Sequence, residues 1–324
     1  MTANQGLTAN RTISSLILGG GSLNLNGRLL LIGAGGLIAS GSGTRIITGG
    51  GWIGADSAPK LYVHTFGDLS FTVGARLITA TRELVKTQEG TLTLDSGDVT
   101  HQSGNVYIHR GMLDLRGGRL QLNGNRITVG DGGGNATLKL APARWDQIFR
   151  NGGGLPSITL NGTPYDPRGP EYGGDQAVLQ MGGNTKLHIG NLHIENRGTI
   201  DWVGGEASKA NILWIDTLTF NRSNAILFMR NWYEYEDILL VRKVYNGVTF
   251  NTALLGQIVF DGYQNYETTY RQWDKDYWQI TPFAHSAVPE PATWGALLGT
   301  LGTGLYLLRR KRQKGRRTSE CAAK

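Results

Sequence analysis

The sequence predicts an all-β protein: a three-sided parallel β-solenoid, right-handed by the usual preference of parallel crossovers, with an aromatic β cap and a C-terminal transmembrane helix. Three observations carry that expectation. Glycine supplies 48 of 324 residues, yet it is interleaved with Leu, Ile and Val rather than gathered into linkers. Apolar residues recur two apart, once in every seven. The chain closes with an uncharged apolar stretch and then a block of positive charge.

The rhythm is clearest from Leu92, where the chain reads LTLDSGD, VTHQSGN, VYIHRGM, LDLRGGR, LQLNGNR and ITVGDGG. The first position holds Leu92, Val99, Val106, Leu113, Leu120 and Ile127, and the third Leu94, His101, Ile108, Leu115, Leu122 and Val129. The sixth is Gly97, Gly104, Gly111, Gly118, Asn125 and Gly132, the residue types best suited to positive φ. A coiled coil is excluded, because its apolar residues fall three and four apart. A helical Gly would also cost about 1 kcal/mol in each unit. Apolar residues two apart share one face of a strand, so each unit is a short strand and a tight turn. Leu16, Leu23, Leu30 and Leu37, partnered by Leu18, Leu25, Ile32 and Ala39, repeat the pattern near the N-terminus.

Three sevens make one coil, so residue i should stack on residue i+21 at about 4.8 Å. That spacing sets Asp95 against Arg116, Asp98 against Arg119, Glu89 against Arg110, Arg110 against Asp131, and Gln102 over Asn123. Opposite charges on neighbouring strands stabilise such a stack. The predicted organisation is therefore Gly-rich solenoid repeats over 1–142, then a loop-rich insertion (143–176) and further solenoid strands to 210. An aromatic cap over 211–283 should cover the open sheet end, and a tail occupies 284–324.

Charge separates the body from the tail. Residues 309–324 hold eight Lys or Arg and one acidic residue, whereas the remaining 308 residues carry 24 basic and 24 acidic side chains. A neutral body leaves no basic footprint for nucleic acid. The single cysteine, Cys321, gives no disulfide framework. Candidate chemistry in the body is sparse. His188 and His193 sit five apart in KLHIGNLHI without further metal-ligand spacing, and read better as outward strand residues. GDGGGN (130–135) suits a plain turn better than a Ca²⁺ site, and the carboxylates of EYED (234–237) suit a solvated edge better than a cation or sugar site. Trp232, Tyr233, Tyr235, Trp273, Tyr277 and Trp278 suit either cap packing or stacking on a glycan. No nucleotide, dinucleotide or serine-hydrolase fingerprint occurs; GAGG (33–36) lacks the spacing. Catalytic, cofactor and metal residues are accordingly expected to be none.

The tail is more specific. Pro289, Glu290 and Pro291 precede the seventeen uncharged residues Ala292 to Leu308, followed by Arg309, Arg310, Lys311 and Arg312. Seventeen residues reach the lower limit for a membrane-spanning helix, and the basic cluster would hold the C-terminus in the cytoplasm. Residues 288–312 resemble the PEP-CTERM sorting signal of Gram-negative bacteria. The resemblance implies export, transient inner-membrane anchoring through 292–308, and processing by an exosortase. It also implies release or attachment at the cell surface, within exopolysaccharide or biofilm matrix. The Gly-rich body is similar to autotransporter-associated β-strand repeats of surface proteins. The family has an N-terminal export signal, and MTANQGLTANRTISSLILGGG has neither the charge nor the apolar core of one; the chain is thus expected to continue a longer precursor.

The expected function is a non-enzymatic, exported surface or matrix protein, structural or adhesin-like, without cofactor. The alternative is a β-helix polysaccharide lyase or glycoside hydrolase, which needs clustered carboxylates on one face of adjacent coils. At the coil spacing, carboxylates face arginines instead.

Overall fold

The structure is a computed structural model that describes residues 4–67, 69–95, 97, 100–164, 176–203, 210–234, 236–263 and 267–283. It is all-β with about 2% helix, a β-solenoid of about 8 turns, and the described residues belong to one compact unit, Met1–Phe283. The helix among the described residues is a 3₁₀ segment, Thr252–Gln257. The sorting motif, the predicted span 292–308 and the basic cluster lie outside the described residues. No helix among the described residues is long and apolar enough to cross a membrane.

Strands stack in parallel, because each coil returns in the same direction as the one before. A first ladder of eleven strands runs from Gln5–Gly6 to Ile258–Phe260. A second passes through Lys60–Thr65, Glu83–Thr87, Val106–Ile108, Arg126–Val129 and Ser157–Leu160. A third joins Thr100–Ser103, Arg119–Leu122 and Ile148–Arg150, and bridges Ile78–Gln102 and Trp145–Lys186 extend it both ways. Two long strands turn a corner between ladders. Leu29–Ala39 pairs with Trp52–Ala55 through its first half and with Lys60–Thr65 through its second. Lys186–Ile194 bends likewise beside Gly190, pairing on both sides of it with Ile212–Phe220.

The predicted core is present. Leu92, Leu94, Val106, Ile108, Leu113, Leu115, Leu120, Leu122, Ile127 and Val129 are all buried, as are the eight N-terminal positions of the rhythm. Inward residues stack in columns such as Phe71, Leu92, Leu113, Leu138, Leu179, Ile200, Met229 and Phe260. All belong to one continuous apolar cluster. Several polar residues also take inward positions. Arg45, Lys86 and His101 are buried there and satisfy backbone groups: Arg45 donates to the carbonyls of Gly19, Ser40 and Thr44. His101 Nδ1 accepts from the amide of Leu77 at 3.1 Å, and burial lowers its pKa to about 4.

The 21-residue offset holds where the rhythm is regular, as for Leu92 on Leu113 and Val106 on Ile127. Elsewhere coils lengthen at the corners, so Leu113 pairs with Leu138 and Leu138 with Leu179. On the third ladder the offset contracts to 19: Gln102 pairs with Gln121, not Asn123. A slip of two keeps every side chain on its own face, so the core does not register the change. The charge pairs follow the true registers. Glu89 and Arg110 meet at 3.6 Å, but Arg116 turns to Asp114 of its own strand at 3.3 Å rather than to Asp95. Asp131 accepts from the amide of Gly133 instead of binding Arg110, and Asp98 lies outside the described residues. Lys60–Glu83 (2.9 Å) and Lys139–Asp114 (3.4 Å) pair across coils at other spacings.

The sixth-position glycines answer two different needs. Gly111 has φ +67°, and a Cβ there would lie 2.3 Å from the carbonyl oxygen of Gly90. Gly104 has no positive φ, but its Cβ would meet the Thr81 oxygen at 2.4 Å. Asn125 does not adopt positive φ; its place in the rhythm has another origin, the turn amides of Asn125 and Arg126 being held by the Asn105 side chain.

Two predicted boundaries shift. Within 143–176, the strands Ile148–Arg150 and Ser157–Leu160 enter the ladders, so those residues belong to the stack. The parallel stack also continues beyond 211, through Ile212–Phe220, Ile226–Arg230, Ile238–Arg242 and Ile258–Phe260. It ends where Tyr277–Phe283 pairs antiparallel with Ile238–Arg242, and Glu267–Gln272 pairs antiparallel outside it.

Candidate functional site

Four successive layers converge near this end. The turn Ala143–Asp146 bridges through Trp145 to Lys186. In Lys186–Ile194, alternation points Leu187 and Ile189 inward and leaves Lys186 and His188 facing out. Trp214 pairs with His188 in the next coil, and Arg242 pairs with Tyr277 of the antiparallel strand. Trp145, Asp146, Lys186, His188, Trp214 and Tyr277 line a cleft of about 450 Å³.

Behind the cleft lies a closed polar knot centred on Asp216, whose side chain is 4% exposed. Its Oδ1 meets Arg242 Nε at 2.8 Å and His188 Nε2 at 3.1 Å, and accepts the Tyr277 hydroxyl at 3.0 Å. Arg242 Nη2 in turn donates to the Tyr277 oxygen at 2.9 Å. The hydrogen bond to Tyr277 and the charge of Asp216 hold the Arg242 guanidinium protonated, and burial raises the pKa of the Tyr277 phenol. A carboxylate with three donors on one oxygen anchors its neighbours, and a phenol shifted upward donates rather than abstracts a proton at neutral pH. The groups facing solvent are of another kind. Trp145 is 64% exposed, Lys186 Nζ lies 4.0 Å from its ring centroid, and Asp146 is exposed, its carboxylate accepting a long 3.4 Å bond from the His188 amide.

The turn that carries Trp145 is strained. Ala143 (φ 55°) and Asp146 (φ 44°) both adopt the left-handed region, which costs a non-Gly residue on the order of 1 kcal/mol or more. Backbone bonds hold it in place: Ala143 N to Gly183 O, Asp146 N to Lys186 O, and Lys186 N to Arg144 O.

The sequence candidates divide. His188 and Tyr277 join this knot. His193 is an outward residue, bound to Thr219 (2.8 Å) and Glu195 (3.0 Å). Trp232 is buried, edge-on to Trp202 and Phe260, and so packs against the end of the parallel stack. Trp278 packs against the core and Tyr270; Tyr233 and Trp273 are exposed; Tyr235 lies outside the described residues. In EYED, Asp237 is not a solvated edge residue but is 1% exposed, bonded to Asn211 and to the Tyr233 amide. Burial raises its pKa to about 6. Among the described residues no group of three His, Cys, Asp or Glu is arranged to hold a metal ion.

Sequence reading missed Trp145, Trp214, Lys186, Asp216 and Arg242. One signal was present: Asp216 is the lone charge in the apolar run ILWIDTLTF. No protein-family model matches the chain, and neither does any curated protein or solved structure.

Proposed function

We propose that the chain is an exported, non-enzymatic component of the cell surface or extracellular matrix, associated with exopolysaccharide. In this reading the body is a three-sided, right-handed solenoid, and the three ladders support its cross-section. The tail is the address: Pro289-Glu290-Pro291 is read by an exosortase, 292–308 anchors the precursor in the inner membrane, and Arg309, Arg310, Lys311 and Arg312 stay cytoplasmic. The observation that carries the non-enzymatic reading is the state of Asp216. This carboxylate, buried behind the cleft, is already bonded to Arg242, His188 and Tyr277, which makes it an anchor for its neighbours.

Two measurements test the proposal. In an exosortase-positive host, mass spectrometry of surface material should find a chain that has lost the span and Cys321; material still ending at Lys324 counts against processing. Incubation with uronate and neutral glycans should release neither unsaturated nor reducing ends. Release that disappears in Asp216→Asn would establish the lyase or hydrolase reading instead.

A further inference from the structure

We propose that the cleft beside Trp145 binds one pyranose ring of a neutral glycan; the inference rests on the surface-protein reading above and names its ligand. Its geometry combines an open aromatic plane with polar groups at the rim, as small-molecule sites do. One face of the Trp145 indole is occupied by Lys186 Nζ, 4.0 Å from the ring centroid. The indole as a whole is nevertheless 64% exposed, so much of the ring is left open to the C–H side of a sugar, with Lys186 lining the same cleft. An apolar plane is ordinarily turned inward, whereas this one is displayed by a turn with two non-Gly residues in the left-handed region. Packing does not repay that strain, since Trp145 buries little. Strain held in place by surrounding bonds marks positions where function fixes the geometry.

The class of ligand follows from charge. Lys186 makes no ion pair with a carboxylate among the described residues, and Asp146 is exposed in the same cleft. The two cancel, one supplying donors and the other acceptors, which matches a ring of neutral hydroxyls. A uronate would meet Asp146. The knot behind contributes rigidity: Asp216 pins His188 and Tyr277, so the inner wall is set before the ligand arrives.

Affinity electrophoresis of the full chain through gels containing a neutral hexan or a uronan tests this. The hexan should retard the wild type, and Trp145→Ala should weaken retardation at least about tenfold, near 1.4 kcal/mol. Trp145→Phe should keep part of it, and Lys186→Met, which retains the stem over the indole, should lose part. Trp273→Ala, an exposed tryptophan of the cap, should behave as wild type. Circular dichroism confirms that each variant folds. Unchanged binding by Trp145→Ala, a preference for uronan, or no retardation of the wild type would each overturn the proposal. Those outcomes leave surface location untouched, because fractionation reads that separately; glycan cleavage would refute the non-enzymatic reading and spare the binding site.

Discussion

Replacing Lys86 by Met tests how the solenoid tolerates a cation in its apolar column. Lys86 stacks between Val63 and Ile108 at an inward position and is fully buried. Its ammonium donates to the carbonyls of Thr87 (2.9 Å), Gln88 (2.7 Å) and Arg110 (3.0 Å). Met fills nearly the same volume and suits its apolar neighbours, but it abandons three acceptors at a corner. At about 1 kcal/mol for each buried acceptor left without a donor, the loss is about 3 kcal/mol. Relief of the ammonium's desolvation opposes that loss near pH 7, so the full cost is expected at pH 10, where Lys86 is a neutral amine that still donates. Burial also lowers the Lys86 pKa to about 7, below its unfolded value of about 10.4. Between those values the unfolded chain holds more protons, so wild-type stability rises with pH relative to Lys86→Met, and falls back as pH drops to 7. Urea unfolding followed by circular dichroism at pH 7 and pH 10 reads both effects. A Lys86→Met protein as stable as wild type at pH 10 would refute the claim that the carbonyls require this donor.

Other outcomes follow from the same structure. Leu113→Ala opens a cavity in the middle of an inward column and should cost about 2–5 kcal/mol by chemical denaturation. Gly111→Ala places a methyl against the Gly90 carbonyl at positive φ and should lower the thermal midpoint, whereas Gly152→Ala, also at positive φ but with nothing within 4 Å, should cost only the backbone strain. Asp237 has a folded pKa of about 6, above its unfolded value of about 3.9. The folded state then holds the extra proton between them, so stability falls as pH rises from 4 to 6, and Asp237→Asn should flatten that slope in midpoint-against-pH curves.

The heptads from Leu92 to Val129 made the solenoid legible, because a two-residue period on short strands has few other ways to bury its apolar face. The same pattern hid two things. Residue type alone did not distinguish an outward histidine from His101, which occupies a column with Leu120 and is kept neutral by burial. Nor did it separate Trp232, buried against the stack, from Trp145, displayed to solvent, since an isolated aromatic reads alike in both settings. Within the loop-rich segment from 143 the strands Ile148–Arg150 and Ser157–Leu160 went unrecognised for a related reason: they are short and set apart by turn residues, yet they pair within the ladders.

What the sequence by itself determined is the local rule: short strands, turns at glycine, apolar side chains on alternate positions, and an excess of charge confined to the tail. Those are properties of neighbours along the chain. Only the tertiary structure decided which distant residues share a layer. Trp145 meets Lys186, His188 meets Asp216 and Tyr277, and Arg242 reaches the same carboxylate, across separations that match no fixed repeat. The reason is that a parallel ladder constrains where a strand returns but not how much chain bulges at the corner before it does. Register, and with it the cleft, is set by the summed lengths of those corners.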